Sequence, residues 1–176
     1  APFLPLVFMG QEYGETAPFM YFVSHTDPAL VEAVRAGRRD EFAAFAWQGE
    51  VPDPQSELTY MRSRLNHGLK QRWPHATLLE FYRTAIRLRK EHASLSVSRH
   101  DSNSVEFSEE SRTVCIQREE ESERSAVVMN WGEVEQPVAL MLRQGTWSKL
   151  FDSAEERWSG IGSRLPQVLH SDGDVV

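Results

Sequence analysis

The chain has 176 residues, 40% of them hydrophobic and 26% charged, with 26 acidic against 19 basic side chains and a net charge of -7. That is enough for one medium domain or two small ones around a real core, and the acidic balance argues against nucleic acid or an anionic membrane surface as a partner. The single cysteine, Cys115, excludes an internal disulfide framework and any CxxC metal or redox site, and it fits a reducing, cytoplasmic setting.

No apolar run approaches the roughly 20 residues that span a bilayer. The first element is the apolar run Phe3 to Met9, which stops at Gly10 and is followed at once by Gln11, Glu12, Tyr13, Gly14 and Glu15. A run apolar on both faces suits a strand buried from both sides, as in a parallel sheet wrapped by helices. Polar and acidic residues just past the C-terminal end of such a strand stand where barrel and open α/β enzymes place their sites. No partner strand of the same kind follows, so the run reads as the last piece of a sheet whose other strands are absent.

Asp27 before Pro28 is a helix start, an N-cap carboxylate followed by proline at the first helical position. Leu30, Val31 and Val34 share a face, and Gly37 reads as the end of that helix. Arg38 to Ala46, with Phe42 and Phe45 at i, i+3 spacing, reads as a second short helix, and Gln48 to Ser56 as a loop. The clearest helix runs from about His75 to His92. Thr77 and Glu80 have capping-box spacing, Leu78, Leu79, Tyr82, Ile86 and Arg89 follow the helical period, and Phe81, Ala85 and Leu88 widen the apolar stripe.

From about residue 96 the signals change to strands. Val105 with Phe107, then Val114, Ile116 and Arg118, alternate with polar residues, and Ser125 to Met129 reads as a buried strand. Pro137 to Leu142, Thr146 to Phe151 and Gln167 to His170 are further strands at short spacing, which suggests a small antiparallel sandwich. Glu119, Glu120, Glu121 and Glu123 crowd a hairpin tip, and Cys115 reads as a small core residue.

The chain contains no P-loop, HExxH, GxSxG, GxGxxG after a strand or EF-hand pattern. Its six histidines show no metal-ligand spacing, so neither a metal nor a cofactor is expected. Glu12 and Glu15 are the best candidates for site chemistry, because glycoside cleavage needs two carboxyl groups across the scissile bond. They are three residues apart in a loop, so facing geometry does not follow; the plain alternative is that one pairs with a nearby arginine and the other is solvated. Phe19 to Val23, followed by Ser24, His25 and Asp27, is the second candidate, since rings beside polar groups stack on sugars. A buried strand would carry the same residues.

Taken together, Pro5-Leu6-Val7-Phe8-Met9-Gly10-Gln11-Glu12-Tyr13-Gly14, Pro18-Phe19-Met20-Tyr21-Phe22, Gly37-Arg38-Arg39-Asp40-Glu41-Phe42, Val51-Pro52-Asp53-Pro54-Gln55 and Leu88-Arg89-Lys90-Glu91-His92 resemble the C-terminal part of the malto-oligosyltrehalose trehalohydrolases, glycoside hydrolases of the α-amylase superfamily. The first motif is shared with other α-amylase relatives, whereas the GRRxEF element with VPDPQ discriminates more sharply. The resemblance implies an α+β fragment. Leu4 to Met9 would be the eighth strand of a (β/α)8 barrel, Gln11 to about Gln71 its eighth loop, and the helix from His75 its eighth helix. Residues 1–94 would then be the end of the catalytic barrel and residues 95–176 an all-β antiparallel C-terminal sandwich domain.

The reaction so implied is hydrolysis of an α-1,4-glucosidic bond in maltooligosyltrehalose, with release of trehalose. The family's nucleophilic Asp, acid Glu and stabilising Asp follow strands four, five and seven, all of which would precede this chain, so no catalytic residue is expected here. The third normally sits in an Asn-His-Asp motif; Asn66-His67-Gly68 lacks that Asp and falls after the eighth strand. Gln11, Glu12, Tyr13, Phe22 and His25 are the expected contacts to a maltooligosaccharide-type substrate. No nucleic-acid or membrane partner is expected, while the exposed barrel strand would allow self-association. Two other readings compete: a fragment of a glycogen branching or debranching enzyme of the same superfamily, and a non-catalytic glucan-binding module using Trp131, Trp147 and Trp158.

Overall fold

A computed structural model describes residues 5–44, 49, 51–96, 103–120, 122–135 and 137–173. Packing divides the chain into two units, Met9–His75 and a second made of the residues from Ala76 onward together with those before Met9. No helix among the described residues is long and apolar enough to cross a membrane.

The expected opening strand does not form. Leu4 lies outside the described residues, and residues 5–8 carry no strand, with Leu6 97% exposed and Val7, Phe8 and Met9 exposed as well. A strand is held by the ladder of a neighbour, and among the described residues none runs beside this segment.

In the unit Met9–His75, a single helical turn at Gln11–Tyr13 is followed by extended chain and then by α1 (Pro28–Ala44) and α2 (Glu57–Arg62). Asp27 caps α1 as its sequence suggests, its Oδ1 accepting from the Ala29 N–H at 2.8 Å. Gly37 does not end the helix, and α1 runs through it. A mid-helix glycine costs only about 1 kcal/mol relative to alanine, and here the turn beyond it is tied by the Arg38–Glu41 ion pair and by Arg38 lying over the Phe42 ring at 4.9 Å. Residues 45 and 46 of the expected second helix lie outside the described residues. Residues 51–56 form the expected loop, and Ser56 then caps α2 by accepting from the Leu58 N–H at 3.2 Å.

α3 (His75–Glu91) opens at His75, where the sequence places its start, and Thr77 of the expected capping box lies inside the helix. α4 (Ala93–Ser96) follows, and then an antiparallel meander of β1 (Asn103–Ser108), β2 (Thr113–Glu120) and β3 (Glu123–Asn130). In its register Glu106 faces Cys115 and Cys115 faces Val128, while Val105 faces Ile116 and Ile116 faces Val127. β2 is the central strand, and its adjacent residues Cys115 and Ile116, which point to opposite faces, are both buried. The crowded glutamates do sit at the β2–β3 tip, with Glu121 outside the described residues.

β4 (Gly145–Ser148) and β5 (Val168–Ser171) make a second antiparallel pair. Pro137 to Leu142 is not a strand: among its described residues only Met141 makes a bridge, and its carbonyl accepts from Gln117 Nε2 at 2.7 Å. The proline and the short apolar run suit an edge contact better than a full ladder.

Two polar devices secure the meander to the helical segment before it. Arg118 is buried, donating from Nε to Asn103 Oδ1 at 3.0 Å and from Nη1 to the Leu95 carbonyl at 3.1 Å. Glu123 pairs with His92 and also accepts from the Ser94 N–H at 3.1 Å, closing the start of α4. The His92 bond, with help from the Ser94 and Ala93 N–H groups and against the effect of burial, holds the Glu123 carboxyl below its usual range. A carboxyl depressed in the folded state stabilises above its unfolded value near ~4.3 and loses that contribution as pH falls through the folded value. Acid unfolding should therefore show a smaller loss of stability between about pH 5 and pH 3 in Glu123→Gln than in the parent chain, measured by urea midpoints across that window.

Candidate functional site

The turn Gln11–Tyr13 is set by two glycines in the left-handed region, Gly10 at φ +84° and Gly14 at φ +67°. The Gly10 carbonyl accepts from the N–H groups of Tyr13 at 3.2 Å and Glu15 at 2.9 Å, and the Gly14 N–H donates to the Gln11 carbonyl at 3.1 Å. Tyr13 at the end of the turn is 0% exposed. Its carbonyl accepts from His75 Nδ1 at 2.8 Å, its ring lies under Lys70 Nζ at 4.8 Å, and its hydroxyl donates to Glu15 Oε2 at 2.9 Å. Burial, the bond to Glu15 and the charges of Glu15 and Glu12 together push the phenol up to about 12.

Glu15 is half-buried, and among the described residues its carboxylate is held by N–H and O–H donors rather than by an arginine. Oε1 accepts from the N–H groups of Thr16 and Ala17, each at 2.9 Å, and Oε2 accepts from Asn66 N–H at 2.6 Å beside the Tyr13 hydroxyl. Burial raises the carboxyl, but the Ala17 and Asn66 N–H groups, the phenol and the Thr16 N–H together outweigh it and leave it below its usual range. A carboxylate so occupied is ionised at neutral pH and has no proton to give. Asn66 itself caps the short turn His67–Gln71, its Oδ1 accepting from the Gly68 N–H at 3.1 Å.

Phe22 and His25 lie on a second, extended segment fixed from three sides. The N–H groups of Met20, Val23 and His25 donate to Ser63 Oγ at 3.2 Å, the Pro54 carbonyl at 2.8 Å and Gln55 Oε1 at 3.1 Å. Gln55 Nε2 returns a bond to the His25 carbonyl at 2.7 Å, so the amide reads the backbone as a neighbouring strand would. The Phe22 ring meets Tyr60 edge-on at 5.3 Å, and both rings stay exposed. Tyr21 beside them carries Arg38 over its ring at 5.2 Å.

The loop supplying Gln55 is held to α1 by Arg35, whose Nε and Nη2 grip Asp53 at 2.9 and 2.7 Å. Bidentate pairing of this kind is directional as well as attractive. The Arg35 bond, opposed by burial and helped by the Gln55 N–H and by the charges of Arg35 and Arg39, keeps Asp53 below its usual range.

Gln11, Glu12 and Tyr13 are thus gathered in one turn, and Phe22 with His25 in another segment of the same unit. Gln11 is exposed and Glu12 half-buried, so their amide and carboxylate can meet sugar hydroxyls, while the exposed Phe22 and Tyr60 rings offer faces on which a pyranose can stack. Sequence reasoning missed Glu15 as a clamp and did not find Gln55, Asp53 or Arg35 as supports; the VPDPQ stretch was the trace of Asp53 and Gln55, and nothing singled out Arg35. Among the described residues no group of three or more His, Cys, Asp or Glu side chains could hold a metal ion.

No protein-family model matches the chain. Curated proteins named malto-oligosyltrehalose trehalohydrolase do: the chain is 36% identical to that of Rhizobium sp. (strain M-11) over 168 residues, which is 95% of this chain and 27% of the relative. It is 38% identical to that of Mycobacterium tuberculosis over 67% of this chain and 20% of the relative, and 47% identical to that of Arthrobacter ramosus over 51% and 16%. The chain therefore spans about a quarter or less of the length of these relatives. Among solved structures it resembles a Salmonella typhimurium protein with a provisional α-amylase assignment, at TM-score 0.67 and 29% identity, over 98% of this chain and 27% of that one.

Proposed function

We propose that this chain, a homologue of the malto-oligosyltrehalose trehalohydrolases, is the C-terminal part of a glycoside hydrolase that releases trehalose from maltooligosyltrehalose by cleaving an α-1,4-glucosidic bond. On this reading residues 1–94 end a (β/α)8 barrel and residues 95–176 form an all-β sandwich domain. The catalytic carboxylates lie upstream, and Gln11, Glu12, Phe22 and His25 contribute a wall of the sugar cleft; Tyr13, expected from the sequence to touch sugar, is buried and supports that wall from behind. Self-association through the exposed segment before Gly10 and a cytoplasmic location belong to the same reading.

The observation that carries it is the 36% identity to the Rhizobium protein over 95% of the chain. It is supported by the use made of one discriminating motif: VPDPQ supplies Asp53 for Arg35 and Gln55 for the backbone of His25. Glu15 is fully occupied, which suits a cleft whose proton donor comes from elsewhere.

The reading frame just upstream of Ala1 should encode an Asn-His-Asp motif within the preceding few dozen codons. The joined polypeptide should release trehalose from maltooligosyltrehalose, and the 176-residue chain alone should release none; robust turnover by the chain alone refutes the assignment. New branch points in a glucan, without trehalose, would turn the reading to a branching enzyme. Trp131 is exposed, whereas Trp147 donates from Nε1 to the Arg143 carbonyl at 3.0 Å and Trp158 packs on Phe81 and Phe151. A glucan-binding module would give saturable tryptophan quenching with maltooligosaccharides, and the proposed part of an enzyme should not.

A further inference from the structure

We propose that Glu15 is a positioning residue: its carboxylate ties the turn Gln11–Tyr13 to the segment beginning at Asn66 and thereby fixes where Gln11 and Glu12 stand. The proposal rests on the glycosidase reading for what Gln11 and Glu12 face, and on hydrogen-bond geometry for everything else.

Four donors converge on its two oxygens, and none of the four is a cationic side chain. The carboxylate is therefore used for direction. Two of the donors, Thr16 and Ala17 N–H, fix the chain as it leaves the turn; a third, the Tyr13 hydroxyl, fixes the turn from its own last residue. The fourth, Asn66 N–H, comes from 51 residues away in sequence and couples the turn to a separate stretch of the unit.

Tyr13 completes the clamp. It is buried, its hydroxyl is held by Glu15 and its carbonyl by His75 Nδ1, so the short turn has a fixed end. Gln11 and Glu12 are the other two residues of that turn, and neither supplies any of the four bonds. Their placement follows from a clamp they do not themselves form. Glutamine cannot replace Glu15 in full: it has one oxygen instead of two, and its amide N–H would confront the Asn66 or backbone donors. Aspartate is one methylene short.

In the 176-residue chain, Glu15→Gln should speed amide exchange at Asn66 about tenfold or more relative to Val127 in β3. Alkaline difference spectra against Tyr13→Phe should show the Tyr13 phenol ionising below the parent's value of about 12, with burial still holding it above its ordinary value. Tyr13→Phe, which leaves the three N–H bonds in place, should speed Asn66 by less, and it serves the same purpose should Glu15→Gln not fold. Unchanged exchange at Asn66 in these variants overturns the proposal.

In the joined polypeptide, the losses in kcat/KM for trehalose release caused by Glu15→Gln and Glu12→Gln should fail to multiply in the double variant, because one acts through the other. Losses that multiply would make Glu15 an ordinary structural carboxylate and overturn the proposal. A joined polypeptide that releases no trehalose sinks the glycosidase reading instead, and exchange with phenol titration still judges the clamp.

Discussion

Gly10→Ala should destabilise the unit Met9–His75 by about 2–4 kcal/mol, while Gly37→Ala should stabilise by about 0.5–1 kcal/mol. Gly10 has φ +84°, and a Cβ there would stand 2.6 Å from Glu15 Cβ and 3.3 Å from both Glu15 Cγ and Leu65 Cδ2. The nearest obstacle is the root of a side chain, which cannot rotate away as the tip of a lysine could. The left-handed conformation alone costs an L-residue about 1–2 kcal/mol. Displacing Glu15 then loosens its bonds to Tyr13 and Asn66, leaving a buried phenol short of a partner. Gly37 lies within α1, and outside the helix's own backbone nothing comes within 4 Å of the place an alanine methyl would take, so alanine there only removes backbone entropy from the unfolded chain. Urea unfolding of the two variants should move their midpoints in opposite directions; equal shifts would mean that Gly10 is a mere surface turn.

The contrast also marks what the sequence could reveal. Gly10 was legible as a boundary because apolar and polar runs meet there, and Gly37 looked the same by composition. They differ in backbone conformation, which cannot be read from a single sequence: the Arg38–Glu41 pair and the Arg38–Phe42 contact carry α1 past Gly37, whereas Gly10 takes a left-handed φ of +84°. The meander β1–β3 was legible because period-two alternation with a glutamate-rich tip has few other solutions. The apolar run ending at Met9 was misleading as a local signal, since hydrophobicity specifies a buried strand only where there is a sheet to bury it.

At the site, the polar cluster after Gly10 could be read directly, but the division of labour within it could not. Glu12 and Glu15 look equivalent in sequence, and only the arrival of Asn66 from 51 residues away makes Glu15 a clamp. The Arg35–Asp53 and His25–Gln55 links likewise join positions 18 and 30 residues apart, beyond the reach of any helical or strand period.

Phe81→Ala should cost about 2–4 kcal/mol, and Ile86→Ala less than about 1 kcal/mol. Both residues belong to the apolar stripe that the sequence assigns to α3, but they end on different sides of it. Phe81 meets Phe151 at 4.9 Å and Trp158 at 5.5 Å, both edge-on, and the last two rings meet each other at 5.7 Å. Ile86 is 51% exposed. A fully buried phenylalanine costs about 3–5 kcal/mol on truncation; Phe81 is half-buried, which lowers that figure, while its two edge-on contacts add about 0.5–1.5 kcal/mol each. Trp158 Nε1 is buried with no hydrogen-bond partner among the described residues, so ring packing rather than a polar bond keeps the indole in place. Truncating Phe81 would admit water to that nitrogen and recover part of the loss, which favours the lower half of the range. Thermal melts of the two variants, with near-ultraviolet circular dichroism to follow the aromatic cluster, should separate them clearly. Comparable losses would mean that α3 packs through its 79–82–86 face, and the aromatic cluster would then be an adornment of the segment 151–158 rather than its anchor to the helix.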